Sequence, residues 1–282
     1  MVDAGLVLEG GGMKGIYTAG VLDYFMEKNL YFRNNYGVSA GAIHLCSYIS
    51  KQHKRARRVS LDYLQDKDYC SMRSLIMTGD LFQVKMCYDK IPNELDPYDY
   101  ETALAFPGNA YAVVTNIRTG QAEYMPMREM HNDIIAVRAS ASLPLVSRNV
   151  KIGNEYYLDG AIADSIPIRH AMEDGNRKNV VVLTKEEGYV RKPASALGLM
   201  KMRYHKYPKV YELMAKRHVA YNETLRYLEL AQAEGRAFVI RPKQTNEIGR
   251  IEKDRAKLEA LYEIGYEDAK SCYEDMMSFL EA

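Results

Sequence analysis

Ser39 sits at the centre of Gly37-Val38-Ser39-Ala40-Gly41, a serine with a glycine two positions away on either side. A hydroxyl acts as a nucleophile when it is exposed at a sharp turn, set beside a base and faced by donors for the oxyanion formed on attack. The G-x-S-x-G spacing answers the first need. Gly37 and Gly41 leave room for a strand to fold back on the following helix with Ser39 at the apex. The same five residues also describe a plain strand-to-helix turn with Ser39 as its N-cap. Upstream, Gly10-Gly11-Gly12-Met13-Lys14-Gly15 offers bare N–H groups at a helix start, a place suited to a negative oxygen and so an oxyanion-binding loop. Lys14 falls in the first helical turn, where the macrodipole disfavours a cation. A separate reason for it is expected, either support of the loop or attraction of an anionic substrate.

Gly10-x-Gly12-x-x-Gly15 also satisfies the dinucleotide-binding G-x-G-x-x-G, which makes a Rossmann enzyme a rival. That rival wants an acidic residue at the end of a second strand about 20 residues past the glycines, to hold a ribose. This chain has Asn34-Asn35-Tyr36-Gly37 and the serine turn there instead. The P-loop pattern is not matched.

A base for Ser39 is harder to read. Among the six histidines, His44 lies one turn along the helix from Ser39, and surface or helix-face roles are expected for all of them. A Ser-His-Asp hydrolase of the α/β type also places several strands before its nucleophile, whereas one full strand precedes Ser39 here. Asp159 is the better candidate. It follows Tyr156-Tyr157-Leu158, a strand, and precedes Gly160-Ala161, so its carboxylate stands at a strand end, where sites form. Asp-Gly is equally a common turn dipeptide.

These residues need a scaffold of strands and helices. Residues 4–9 read as a strand followed by a glycine turn and a helix with one apolar face, and Tyr36-Gly37-Val38 as a strand followed by a helix over 40–49. Residues 111–115 and 122–125 flank Thr119-Gly120, and 149–152 and 155–158 flank Gly153-Asn154, each pair predicting antiparallel neighbours. Continuous apolar runs at 179–184 and 237–241 predict buried strands of a layered α/β sheet with helices on both faces. Helix formers at three- and four-residue spacing fill 197–233 and 251–280. Residues 59–97 show weak periodicity and stay unassigned, and the Lys51 to Arg58 run reads as plain surface.

The bulk composition excludes several classes. With 282 residues, 47% hydrophobic content and net charge +1, the chain can bury a large core and carries no bias toward nucleic acid or disorder. No Pro/Ser/Gly-rich linker interrupts it, so a single domain over 1–282 is expected, with a motif-bearing core over about 1–185, a helical elaboration over about 195–235 and a terminal strand and helix over about 236–282. No basic leader, cleavage site or membrane span is evident, and Cys46, Cys70, Cys87 and Cys272 are scattered. A cytoplasmic protein with reduced thiols is expected.

Four blocks, namely Gly10 to Gly15, Gly37 to Gly41, Ala139-Ser140-Ala141-Ser142-Leu143-Pro144 and Asp159-Gly160-Ala161, resemble in order and spacing the patatin-like phospholipase family, including its bacterial members. The resemblance covers about the first 185 residues; Ser142 stands where the family usually has alanine, and Ala161 where glycine is also common. It implies a three-layer α/β/α sandwich with a central mostly parallel sheet and a helical C-terminal elaboration. It further implies a Ser39-Asp159 dyad, an oxyanion hole in the glycine loop, no cofactor, no metal, and hydrolysis of phospholipid, lysophospholipid or neutral-lipid acyl esters. Carboxylates ordinarily ionise near pH ~4, a poor match to a serine proton, so the resemblance implies a partly desolvated base acting in a concerted attack. A general carboxylesterase with the same dyad and a silent lipid-binding module are the alternatives. Basic residues Lys201, Arg203, Lys206, Lys209, Lys216 and Arg217 alternate with Met and Tyr, a pattern that suits either transient contact with an anionic membrane or a solvated face packed on the core. Oligomeric state is not encoded in any motif.

Overall fold

Leu6, Val7 and Leu8 point alternately to the two faces of strand β1 (Val2–Leu8), and all three are buried. Leu6 and Leu8 join one apolar cluster and Val7 another, so both faces of the sheet are covered. A strand buried on both sides must be apolar at every position, and the run in β7 (Asn179–Val182) has the same cause: Val180 and Val182 face one layer and Val181 the other. The computed structural model describes all residues except 244, 246, 247 and 250.

Between β1 and β7 lie β2 (Phe32–Val38), β3 (Asn109–Asn116), β4 (Ala122–Pro126), β5 (Val150–Ile152) and β6 (Glu155–Asp159), and β8 (Ala237–Ile240) follows β7. The described residues form one sheet in the order β5-β6-β3-β2-β1-β7-β8, with β4 paired to β3. Strands β3, β2, β1, β7 and β8 run parallel, and β4, β5 and β6 are antiparallel additions. The two expected hairpins, β3-β4 and β5-β6, are present.

Helices α1 (Ile16–Glu27), α2 (Ala40–Ile49), α3 (Arg55–Asp62), α4 (Met72–Thr78), α5 (Tyr100–Leu104) and α6 (Met130–Ser140) precede α7 (Ile168–Glu173), α8 (Leu197–Arg203), α9 (Pro208–Ala233), α10 (Arg255–Ser271) and α11 (Tyr273–Glu281). Side chains of α1, α2 and α10 pack with Leu6 and Leu8, and those of α7 and α9 with Val7. The result is the expected three-layer α/β/α arrangement around a mostly parallel sheet. Residues 86–95 form a π-helical segment with Pro92 inside it. That irregular hydrogen bonding, among short helices, accounts for the weak periodicity over 59–97. Among the described residues no helix is long and apolar enough to cross a membrane.

Helix α10 is set against α1 at backbone distance. A Cβ on Gly20 would lie 2.1 Å from Tyr262 O, and one on Gly265 would lie 2.1 Å from Tyr17 O. Two glycines therefore face two carbonyls, which lets α1 and α10 cross closely.

Register along β3 positions the chemistry. Val38, at the end of β2, pairs with Val113, and Asp159, at the end of β6, pairs with Val114. Because β4 occupies one edge of β3 over 111–115, β2 and β6 must share the other edge. One ascends it and the other descends it. Their C-terminal ends meet head to head, bringing residues 39 and 159 together across 120 positions of sequence.

Candidate active site

Ser39 turns at φ 54° and ψ −119°, backbone space that a serine occupies only under constraint, at a cost on the order of 1–3 kcal/mol. The constraint comes from its neighbours. A Cβ on Gly41 would stand 2.5 Å from Leu8 O, and one on Gly37 would stand 2.6 Å from Ala42 Cα, so strand and helix fold together more tightly than side chains allow. Ser39 N donates to Ser140 Oγ at 2.9 Å, which ties the turn to the end of α6.

Asp159 is fully buried. Its Oδ2 accepts from Ser39 Oγ at 2.7 Å, and its Oδ1 accepts from Ala161 N at 2.8 Å. Asp159 N donates to Ser142 O at 2.9 Å, and Thr115 Oγ1 donates to Asp159 O at 2.8 Å. The two positions that depart from the family pattern, 142 and 161, thus reach Asp159 through backbone atoms. Ser142 Oγ donates instead to Arg138 O at 2.7 Å. A hydroxyl donating to a desolvated, oriented carboxylate is an arrangement able to lose its proton during attack on a carbonyl.

The glycine loop lies directly against the serine. A Cβ on Gly10 would come within 2.9 Å of Ser39 Cβ, and one on Gly15 within 2.5 Å of Ala40 Cβ. Gly11 packs on Thr184, and Gly12, at φ +58°, lines the cavity beside Ser39. The N–H groups of Gly11 and Gly12 have no acceptor among the described residues. Lys14 Nζ donates to Thr245 Oγ1 at 2.8 Å, which ties the loop to the C-terminal segment.

A cavity of about 150 Å³ includes Ser39 and Gly12 in its wall and continues between Ile16, Phe82, Ile91, Met130, Val137 and Leu258. Its lining is mainly apolar, suited to a hydrocarbon chain. Asp159 is not among the lining residues and meets the cavity through its contact with Ser39 Oγ.

Two expectations need correction. His44 is buried and lines the cavity rather than sitting on a surface; burial lowers its imidazole to about 4, and its Nδ1 has no partner among the described residues. Arg55, expected on plain surface, is also buried, with Nη2 donating to Asp96 O at 2.8 Å and its edge on the same cavity. Sequence reading also missed Ser140, Thr115, Glu9 and Thr184, single polar residues whose partners lie far along the chain. Only Ser140 carried a signal, as part of the third block.

Fold and site define an α/β/α protein with a serine-carboxylate pair at the meeting ends of two strands, beside a glycine loop. The family model described as Patatin-like phospholipase matches residues 6–172, more than half the chain, and the protein belongs to that family. A second model, Domain of unknown function (DUF6363), matches residues 207–281. The chain is 32% identical over 185 residues to YjjU of Escherichia coli, described as uncharacterized, a match covering 64% of this chain and 51% of that one. It is 23% identical over 192 residues to the probable lipid hydrolase 463L of Invertebrate iridescent virus 6, covering 62% of this chain and 65% of the relative. The chain therefore spans about half to two thirds of these relatives. VipD of Legionella pneumophila, a solved structure, aligns at TM-score 0.48 and 14% identity over 100% of this chain and 67% of that one.

Proposed function

We propose that this chain is a serine acyl hydrolase that cleaves lipid acyl esters, with Ser39 as nucleophile, Asp159 as base and the glycine loop as oxyanion site. The observation that carries the reading is the 2.7 Å contact from Ser39 Oγ to Asp159 Oδ2 at the wall of an apolar cavity. Membership of a family described as Patatin-like phospholipase and likeness to a probable lipid hydrolase support the substrate class.

Ser39 Oγ attacks the ester carbonyl carbon as its proton passes to Asp159 Oδ2. Negative charge moves to the carbonyl oxygen, where the N–H groups of Gly11 and Gly12 serve as donors. Collapse of the tetrahedral intermediate expels the alcohol, which takes the proton from Asp159, and leaves an acyl ester on Ser39. Water then attacks that ester with Asp159 as base, and the fatty acid departs. Lys14, engaged with Thr245, supports the loop in this scheme. No cofactor enters any step.

The apolar cavity favours a long acyl chain over the small esters of a general carboxylesterase, and the dyad contact favours an enzyme over a silent lipid-binding module. Fluorophosphonate labelling tests the reading. Ser39 should be modified and Ser39→Ala should lose both labelling and ester turnover while staying folded; turnover retained in purified Ser39→Ala rejects it.

A further inference from the structure

The segment matched by the domain of unknown function reaches the roots of both halves of the site. On α9, Arg217 Nε donates to the carbonyl of Ala161, the residue whose N–H holds Asp159 Oδ1. Arg217 Nη2 also approaches Ser165 Oγ at 3.4 Å. One helical turn further, Tyr221 donates its hydroxyl to Glu9 Oε1 at 2.7 Å. Glu9 is the residue immediately before Gly10. Its Oε2 accepts from Thr184 N at 2.7 Å, and Thr184 Oγ1 lies 3.0 Å from Gly10 O.

Tyr221, Glu9 and Thr184 are all buried. Burial and the adjacent Glu9 carboxylate push the Tyr221 hydroxyl far above its ordinary value, so it remains a donor to Glu9 across the working pH range. A buried carboxylate placed behind a backbone loop needs every one of these partners, and the loop is fixed in return. Arg217 and Tyr221 thus grip, from one face of one helix, the turn that aims the carboxylate and the strand end that feeds the glycine loop. Neither side chain is needed to build the cavity wall, and neither appears in its lining.

We infer that helix α9, within the segment matched by the second family model, works as a clamp that keeps the base and the oxyanion loop in register with Ser39, with Arg217 and Tyr221 as its positioning residues. The inference rests on the dyad reading above. Reacting groups tolerate displacements of only about 0.5 Å, and a 1 Å misplacement costs about 10²-fold in rate. Loosening either grip therefore acts on turnover before it acts on substrate affinity. It also makes the two matched segments a single working unit.

The test compares Arg217→Met, Arg217→Lys and Tyr221→Phe in the full chain, measuring kcat and KM on a long-chain ester, the rate of fluorophosphonate labelling at Ser39, and Tm. Arg217→Met should lower kcat by about tenfold to 10²-fold with KM within about twofold, and labelling should slow in parallel. Arg217→Lys, which keeps a donor, should recover part of that loss. Tyr221→Phe should lower kcat by about tenfold. Wild-type kcat and labelling rates in these variants, or a lowered Tm with both unchanged, would overturn the clamp. If Arg217→Met does not fold, Arg217→Lys and Tyr221→Phe, which change little volume, decide the matter. An active Ser39→Ala protein would instead sink the dyad reading, a different failure with a different variant.

Discussion

Replacing Asp159 by asparagine changes almost no volume, removes the ability to take a proton and puts an NH2 donor in place of one acceptor oxygen. In the native site one carboxylate oxygen accepts from Ala161 N at 2.8 Å and the other from Ser39 Oγ at 2.7 Å. Asparagine has a single oxygen. The buried Ala161 N–H holds it, because leaving that donor unmet costs about 1–3 kcal/mol, and the amide NH2 then faces Ser39 Oγ. The hydroxyl meets a donor where it needed an acceptor. General-base catalysis is worth about 10²- to 10⁴-fold, so Asp159→Asn should add about 3 to 5 kcal/mol to the barrier. Stability should change little, by about 1 kcal/mol, since the second bond is exchanged rather than deleted. Steady-state turnover of a p-nitrophenyl ester, fluorophosphonate labelling and a urea melt together separate the two effects. Turnover within about threefold of the native enzyme, with an intact melt, would refute the assignment of Asp159 as base.

Other residues give independent checks. A Cβ on Gly160 would stand 2.1 Å from Val113 O, so Gly160→Ala must part β6 from β3; it should cost about 1–3 kcal/mol in chemical denaturation and lower kcat, and an unchanged melt would contradict the register account. His44 is neutral when folded, at about 4 against an ordinary 6.5, so the unfolded chain binds the extra proton between these values and stability falls as pH drops from 6.5 toward 4. That loss is about 3 kcal/mol, and His44→Gln should flatten this part of a stability-versus-pH curve; an unaltered curve would show that His44 is not the group responsible. On α8, Leu199 and Met202 are exposed beside Lys201 and Arg203, while Met200, and Tyr204 just past the helix end, are buried. Co-sedimentation with anionic vesicles should fall with added salt and with Lys201→Gln/Arg203→Gln, and absence of salt-sensitive binding retires this face as a membrane contact.

Local sequence determined the pieces that local physics can build. Gly37-Val38-Ser39-Ala40-Gly41 permits one tight strand-to-helix turn, and the apolar pattern after it gave α2 with its observed ends, Ala40–Ile49. The glycine loop, both hairpins and the doubly buried β7 were legible for the same reason: each depends on neighbours within a few residues. Asp159 stood out in the sequence by its place at a strand end and in the fourth block, but tertiary structure alone decided how its carboxylate reaches Ser39. That pairing follows from β2 and β6 sharing one edge of β3, a register no residue within either strand announces. It also decided that His44 and Arg55, polar residues in helical patterns, turn inward onto a cavity, because burial belongs to what surrounds a helix rather than to its own periodicity. Arg217 looked like one more cation in a basic stretch. Its contact with Ala161, 56 positions away, exists only once α9 lies across the sheet.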